Sequence, residues 1–469
     1  MEKRVLVLLS LWGGVRGVCV PPESYAYSCR TPDCAEHDPY HHGRRLAAGV
    51  SMNPCQNLDD CPRAFNNTMD DYEEGVSDLT VDVALQAFFQ TYKATYLDLI
   101  LSHYPPSKLD SADVFNGVGG RALLHTRLFK LFGNASDLDL ASQYISTSLA
   151  NIDSISDCYV GFLWGKTGVY SLAAVIADLQ GNSEESLQFV EQVQYIFANS
   201  TSDEFALYDD FDSGRSGLLY SAEFLKSHFG RAMIPQEDVV AVAQAIINRG
   251  VALSRGAGYL EWISPNDGDR WLGNSHGSSG VLYELLGVPE ILENATSNAL
   301  VLGTLDYIMS KQFPSGNFPG EYYDETEDVL VQWDHGAPGV LGTLTKAYSL
   351  LGNETYLASA TAAADCTWKR GLLTKGLMLC HGISGTTYMQ LNMWKATGDS
   401  KYLFRALQFQ RFVMATPDLF DPSLMRKPTP SPFFFYIASY ESAVMLWSDL
   451  LAHADDLTQV QMPGYEHGI

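Results

Sequence analysis

Positive charge is what this sequence is shortest of. Lys and Arg total 30 against 55 Asp plus Glu, a formal net charge of −25. So acidic a chain repels phosphate backbones, and no basic run interleaved with aromatics relieves it. Nucleic acid is disfavoured as a partner, and anionic lipid headgroups are disfavoured on the same ground. Long apolar runs are missing too. Val5 to Val15 is too short to span a bilayer and is stopped by Arg16. Phe433 to Leu451 carries Glu441 and Asp449 and reads as a buried helix, so no membrane span is expected. Cysteine is scarce over most of the length: beyond residue 61 only Cys158, Cys366 and Cys380 occur.

The other five cysteines crowd the N-terminal region. The chain starts Met1-Glu-Lys-Arg and passes into the Val5–Val15 run, the form of a secretory signal. With that signal, Cys29, Cys34, Cys55 and Cys61 would make two disulfides, with three pairings open. Five N-x-[ST] sequons, at Asn66, Asn134, Asn199, Asn294 and Asn353, fit a secreted glycoprotein. The expected compartment is the secretory pathway or the exterior; the alternative is cytoplasm, peripheral at the plasma membrane. Expected segments are a signal over 1–19, a cysteine-rich extension over 20–75, a main domain over 76–455 and a tail over 456–469.

A G-x-x-G element organises the main domain. It recurs at Gly117–Gly120, Gly165–Gly168, Gly214–Gly217, Gly277–Gly280, Gly336–Gly339 and Gly382–Gly385. Each copy leads into an apolar, helix-length segment. In five copies another glycine falls 13 residues after the last glycine of the element: Gly133, Gly181, Gly230, Gly352 and Gly398. Glycine there suits a left-handed helix end. Gly-Asn or Gly-Asp follows in four copies, the turn and capping chemistry that starts a second helix. Second helices show one apolar face each, as in Tyr402, Leu403, Ala406, Phe409 and Phe412. A seventh, degraded copy lies at Ala438–Glu441. Helical hairpins of this kind bury their faces only by stacking. The fold class is all-α, and spacing alone leaves an open solenoid and a closed ring equally open.

Copies four to six carry chemistry just before the glycines: Asn274-Ser275-His276-Gly277, Trp333-Asp334-His335-Gly336 and Leu379-Cys380-His381-Gly382. Three of the 11 histidines thus hold one place in three successive copies. Asp334, Cys380 and His381 offer a carboxylate, a thiolate and an imidazole, all zinc donors, and three protein donors with an open position is a catalytic arrangement.

These motifs resemble the LanC-like family, relatives of lanthionine cyclases. Asp328 to Gly339 (DVLVQWDHGAPG) resembles the family's W-C-H-G-A-P-G motif, Gly371 to Gly385 its C-H-G zinc motif, and Asn274 to Gly280 its A-H-G-x-x-G element. The resemblance runs from about Val114 to Leu451. It implies a closed α/α toroid of seven hairpins. It also implies zinc held by Cys, Cys and His with a thiol substrate as the remaining ligand, and in eukaryotic members glutathione addition to dehydroamino acids. On it, Cys380 and His381 match zinc ligands and His276 the active-site histidine. Asp210 matches an acidic position of the third repeat, and Lys375 a position linked to glutathione. The chain departs from the family where the first zinc cysteine is Asp334, a harder donor that would leave the metal more acidic and a bound thiolate less reactive.

Three functions stay open at this stage. One is a zinc enzyme that activates glutathione for addition to an unsaturated acceptor. The second is a toroid that binds glutathione or a peptide without turnover. The third is a toroid glycosidase using carboxylates such as Asp210, Asp212 and Asp334. Nothing in the pattern implies a particular oligomeric state.

Overall fold

The computed structural model describes residues 63–202, 205, 208–264, 268–323, 328–417 and 440–466. The signal, the N-terminal cysteines and Ala438 lie outside these residues. Among the described residues the chain is helical, with isolated bridges at Ala64–Leu373 and Trp271–Glu321 in place of strands. Seven inner helices alternate with outer ones. The inner set is α2 (Val118–Phe132), α4 (Lys166–Leu179), α6 (Arg215–Phe229), α8 (Ser278–Leu285), α11 (Ala337–Leu351), α13 (Ile383–Thr397) and α15 (Tyr440–Ala452). The outer set is α1 (Val83–His103), α3 (Ala135–Ala150), α5 (Ser183–Asn199), α7 (Gln236–Ser254), α10 (Ala295–Met309, preceded by the single turn α9, Pro289–Glu293), α12 (Glu354–Arg370) and α14 (Ser400–Ala415).

Each inner helix packs on the next, and α15 packs back on α2. The hairpins therefore close into an α/α toroid, the form the family resemblance implies. Helix α1 pairs with α15, so the first outer helix completes the last hairpin. Two buried ion pairs sit at the closure: Arg121 Nε to Glu441 at 3.3 Å and Arg127 Nε to Asp449 at 2.6 Å. Glu441, at the degraded seventh repeat, is thus the partner of an arginine on the first.

The G-x-x-G element has the same job in six copies. Its first glycine is the N-cap of the inner helix and its second is the third helical residue. In copies two to six, a Cβ on the second glycine would strike the carbonyl oxygen six residues earlier, at Phe162, Phe211, Asn274, Trp333 and Leu379. The same Cβ would press on the equivalent position of the preceding copy: Val114, Phe162, Phe211, Asn274 and Trp333. These glycines therefore let each loop lie directly on its neighbour. Backbone hydrogen bonds run between the same loops, as in Val160 to Ser213, Phe211 to Ser275 and Asp334 to Cys380.

The far helix ends have the expected chemistry. Gly133, Gly181, Gly230, Gly352 and Gly398 all have φ between +64° and +81°. After four of them (all but Gly230) the next residue is the N-cap of the outer helix, and Asn353 and Asp399 accept the amides of Thr355 and Lys401. Copy four breaks the pattern: α8 is only 8 residues long and ends at Leu286 in right-handed backbone.

Segments at both ends pack on the ring. Before α1, Phe65 N donates to Leu372 O, and Asp71 bonds Arg405 of α14. After α15, residues through Glu466 run into the ring interior, where Tyr465 is fully buried.

Gly168→Ala tests the loop contact in copy two. Overpacking against Phe162 and Val114 is expected to cost about 1–3 kcal/mol. Denaturant unfolding checks it; unchanged stability would contradict the close approach.

Candidate active site and metal centre

Because the loops stack, the residues just before each inner helix gather at one mouth of the ring. Loops five and six meet through the Asp334 N to Cys380 O bond of 3.1 Å. Asp334 Oδ2 then lies 2.9 Å from His381 Nε2 and 3.1 Å from His335 Nε2. Among the described residues, Asp334, His335 and His381 place donor atoms within 4.8 Å of one another, a candidate metal-binding triad. Cys380 Sγ approaches the opposite edge of the same imidazole, 2.7 Å from His381 Nδ1. The His381 ring thus stands between a carboxylate and a thiol.

The other half of the site comes from copies three and four. His276 Nδ1 faces Asp212 Oδ2 at 3.5 Å and Asp210 Oδ2 at 3.9 Å. Asp210 also accepts the Ser213 amide and hydroxyl, which holds its loop in shape. Asp212 accepts the Ser275 hydroxyl and so ties loop three to the loop that bears His276. Two tryptophans wall the mouth: Trp164 meets the His276 ring edge-on at 6.0 Å, and Trp271 lies 4.5 Å from the His335 ring. The two halves touch through Gly273, whose Cβ would strike the Asp334 carbonyl.

Electrostatics sort these groups into distinct states. Burial would raise the Asp334 carboxyl, but His335 and His381 outweigh it and hold it well below the carboxylate range. Burial, with the Lys375 charge, pushes His381 down to about 4, a neutral imidazole at pH 7. Burial and the neighbouring Asp334 push the Cys380 thiol well up. Burial pushes His276 down, yet Asp212, Asp210 and Asp334 together lift it to about 10. Burial raises Asp212 to about 7 against the pull of His276. The site therefore holds an ionised carboxylate and a neutral imidazole at one end, and a buried imidazolium at the other.

All six residues singled out in the sequence come to this rim. Lys375 is close enough to act on both Cys380 and His381. Two others join them: His335, and Asp212, which the sequence offered only as a carboxylate for the glycosidase reading. His335 holds the same repeat position as His276 and His381, and that equivalence was the available sign. Asp212, closer to His276 than Asp210 is, had none, because only loop stacking decides which aspartate faces the ring.

The His276 charge has a consequence for stability. Its imidazole titrates at about 10 in the fold against a reference of 6.5. The stabilisation its carboxylate partners supply should be fullest near neutrality and fade as pH rises toward 10. The melting-temperature gap between wild type and His276→Gln is expected to narrow from pH 7 to 10. A gap that stays constant would contradict the ion pairing.

Comparison with known proteins fits this geometry. Residues 109–426 match the family described as lanthionine synthetase C-like protein. A zebrafish (Danio rerio) protein named Glutathione S-transferase LANCL1 is 31% identical over 307 residues, covering 64% of this chain and 74% of its own. An Arabidopsis thaliana protein named LanC-like protein GCL1 is 30% identical over 362 residues, covering 75% of this chain and 81% of its own. The structure of nisin cyclase superposes with a TM-score of 0.59 at 14% identity, over 80% of this chain and 99% of the cyclase, a likeness of fold. With the eukaryotic relatives at this level and the toroid closed around the matching motifs, the chain belongs to the LanC-like family.

Proposed function

We propose that this protein holds zinc at the rim of its toroid and activates a thiol, glutathione, for addition to an unsaturated acceptor such as a dehydroamino acid. The observation that carries the reading is the buried meeting of Asp334, His381 and Cys380, faced across the mouth by the His276 imidazolium. The donor chemistry fits a divalent cation. Asp334 is ionised and His381 neutral, the states in which both ligate. Asp334 Oδ1 is buried without a hydrogen-bond partner, an orphan that a cation would satisfy. Asp334, Cys380 and His381 would hold the metal once the His381 ring or one partner turns, because the carboxylate and the thiol now meet opposite edges of that imidazole. Zinc, when bound, would lower the pKa of the thiol and keep the thiolate in place.

The remaining steps belong to the chain. Lys375, beside Cys380 and His381, supplies positive charge for a glutathione carboxylate. Trp164 and Trp271 shield the mouth from water. As sulfur bonds to the acceptor β-carbon, the C=C electron pair moves to the α-carbon and must take a proton there. His276, charged and held at Nδ1 by Asp212 and Asp210, delivers it. The thiol's own proton leaves to solvent or to Asp212. The zebrafish relative's name, a glutathione S-transferase, supports the thiol assignment.

A second reading has its own observation. The triad gathered by distance is Asp334, His335 and His381, without sulfur. Such a donor set is harder than the family's and would weaken thiolate reactivity, which favours a binding protein without turnover.

Metal analysis of the purified protein separates the two. In the first reading wild type holds near-stoichiometric zinc, Asp334→Ala and Cys380→Ala lose it, and His335→Ala keeps it. His276→Ala keeps zinc but slows glutathione addition to a dehydroalanine peptide by about 10²–10⁴-fold. Zinc lost in His335→Ala and kept in Cys380→Ala would install the sulfur-free triad instead. Wild type without zinc, even when supplied, would overturn both metal readings.

A further inference from the structure

The C-terminal stretch after α15 was expected to be a tail, yet it lies in the lumen of the ring. It is laced there from several sides. Arg127 of α2 donates to Gln461 O at 3.2 Å. Lys395 of α13 donates to Val460 O at 2.8 Å and to Glu466 at 2.5 Å. Asn392, also on α13, donates to Glu466 at 3.0 Å, and the other Glu466 oxygen accepts the Met462 amide at 2.7 Å. The strap thereby presents Tyr465, with none of its surface exposed, to the underside of the rim.

What Tyr465 touches is specific. Its ring lies 5.8 Å from Phe211 and 5.2 Å from Trp333, both edge-on, and 4.3 Å from Tyr283 of α8. Its hydroxyl faces Asn274 and Thr343 and lies over the backbone of Gly342 on α11. Phe211, Asn274 and Trp333 occupy one and the same position in copies three, four and five, six residues before the helical glycine. Each immediately precedes a residue of the rim: Asp212, then Ser275 with His276, and Asp334. One side chain from the far end of the sequence therefore underpins three loops that the repeats themselves bring only side by side.

We infer that Tyr465 is a positioning residue: the C-terminal strap holds the His276–Asp212 half and the Asp334 half of the rim at a fixed separation. This inference concerns the site assigned above, but its physical content does not depend on zinc. Loop four already joins loops three and five through backbone contacts, but each of those contacts spans only two loops. Tyr465 touches all three and gives them a common floor. Truncating the ring would leave Phe211 and Trp333 facing a void, and loops so released open locally before the toroid unfolds.

Amide hydrogen exchange on the full chain, without added metal, is the test. Tyr465→Ala should speed exchange of the Phe211, Asp212 and Asp334 amides, all bonded loop to loop, by about tenfold or more. The Val160 and Gly161 amides, bonded the same way between copies two and three, should not change. Tyr465→Phe, which keeps the ring, should restore protection at Phe211 and Asp334. If Tyr465→Ala does not fold, Tyr465→Leu takes its place with the same expectation. Exchange that rises equally at all these amides, or at none, would overturn the inference and leave the strap a general filler. Zinc affinity, measured in parallel, should fall in Tyr465→Ala and recover in Tyr465→Phe. A wild type that binds no zinc defeats the metal reading alone, since the exchange result stands by itself.

Discussion

The structure depends on one close approach, repeated around the ring. In copies two to six, the third residue of the inner helix lies against its own loop six residues back and against the same loop position of the copy before. Only a hydrogen in place of a side chain permits both contacts. Once they form, the loops must stack, and groups far apart in sequence are carried to one rim. Asp212 and Asp334 are 122 positions apart in number, yet both face His276 electrostatically. The chemistry at the mouth is thus a consequence of how glycine lets backbones meet.

The ring is then closed by charge rather than by glycine. Arg121 and Arg127 of α2 bind Glu441 and Asp449 of α15 in buried pairs, and Tyr388 of α13 donates to the other Asp449 oxygen. Buried pairs offset their own desolvation poorly, but a misplaced partner is strongly destabilising. They therefore select the seven-membered closure over an open solenoid. The seventh repeat reads as degraded for this reason: Glu441 stands at a junction where pairing with the first repeat matters more than close backbone contact.

Much of this was legible in the sequence. The helical hairpins were, because Gly133, Gly352 and Gly398 mark left-handed ends and Asn353 and Asp399 cap the outer helices after them. So were the rim histidines, because His276, His335 and His381 keep one offset from the element. Ring closure was not, since it rests on pairs between residues more than 300 positions apart. The distinction between Asp210 and Asp212 was hidden because local hydrogen bonds claim one carboxylate and loop stacking turns the other to His276. Tyr465 was invisible for a different reason. Its segment is short and outside the repeat, and only tertiary packing shows that it fills the lumen.

Function turns on whether a thiol substrate reaches a metal held by Asp334, Cys380 and His381. X-ray absorption at the zinc edge, recorded on the zinc-loaded protein before and after glutathione, reads this directly. The predicted first shell has one sulfur with oxygen and nitrogen donors, and gains a second sulfur when glutathione is added. A shell that glutathione leaves unchanged would contradict thiol activation at this site.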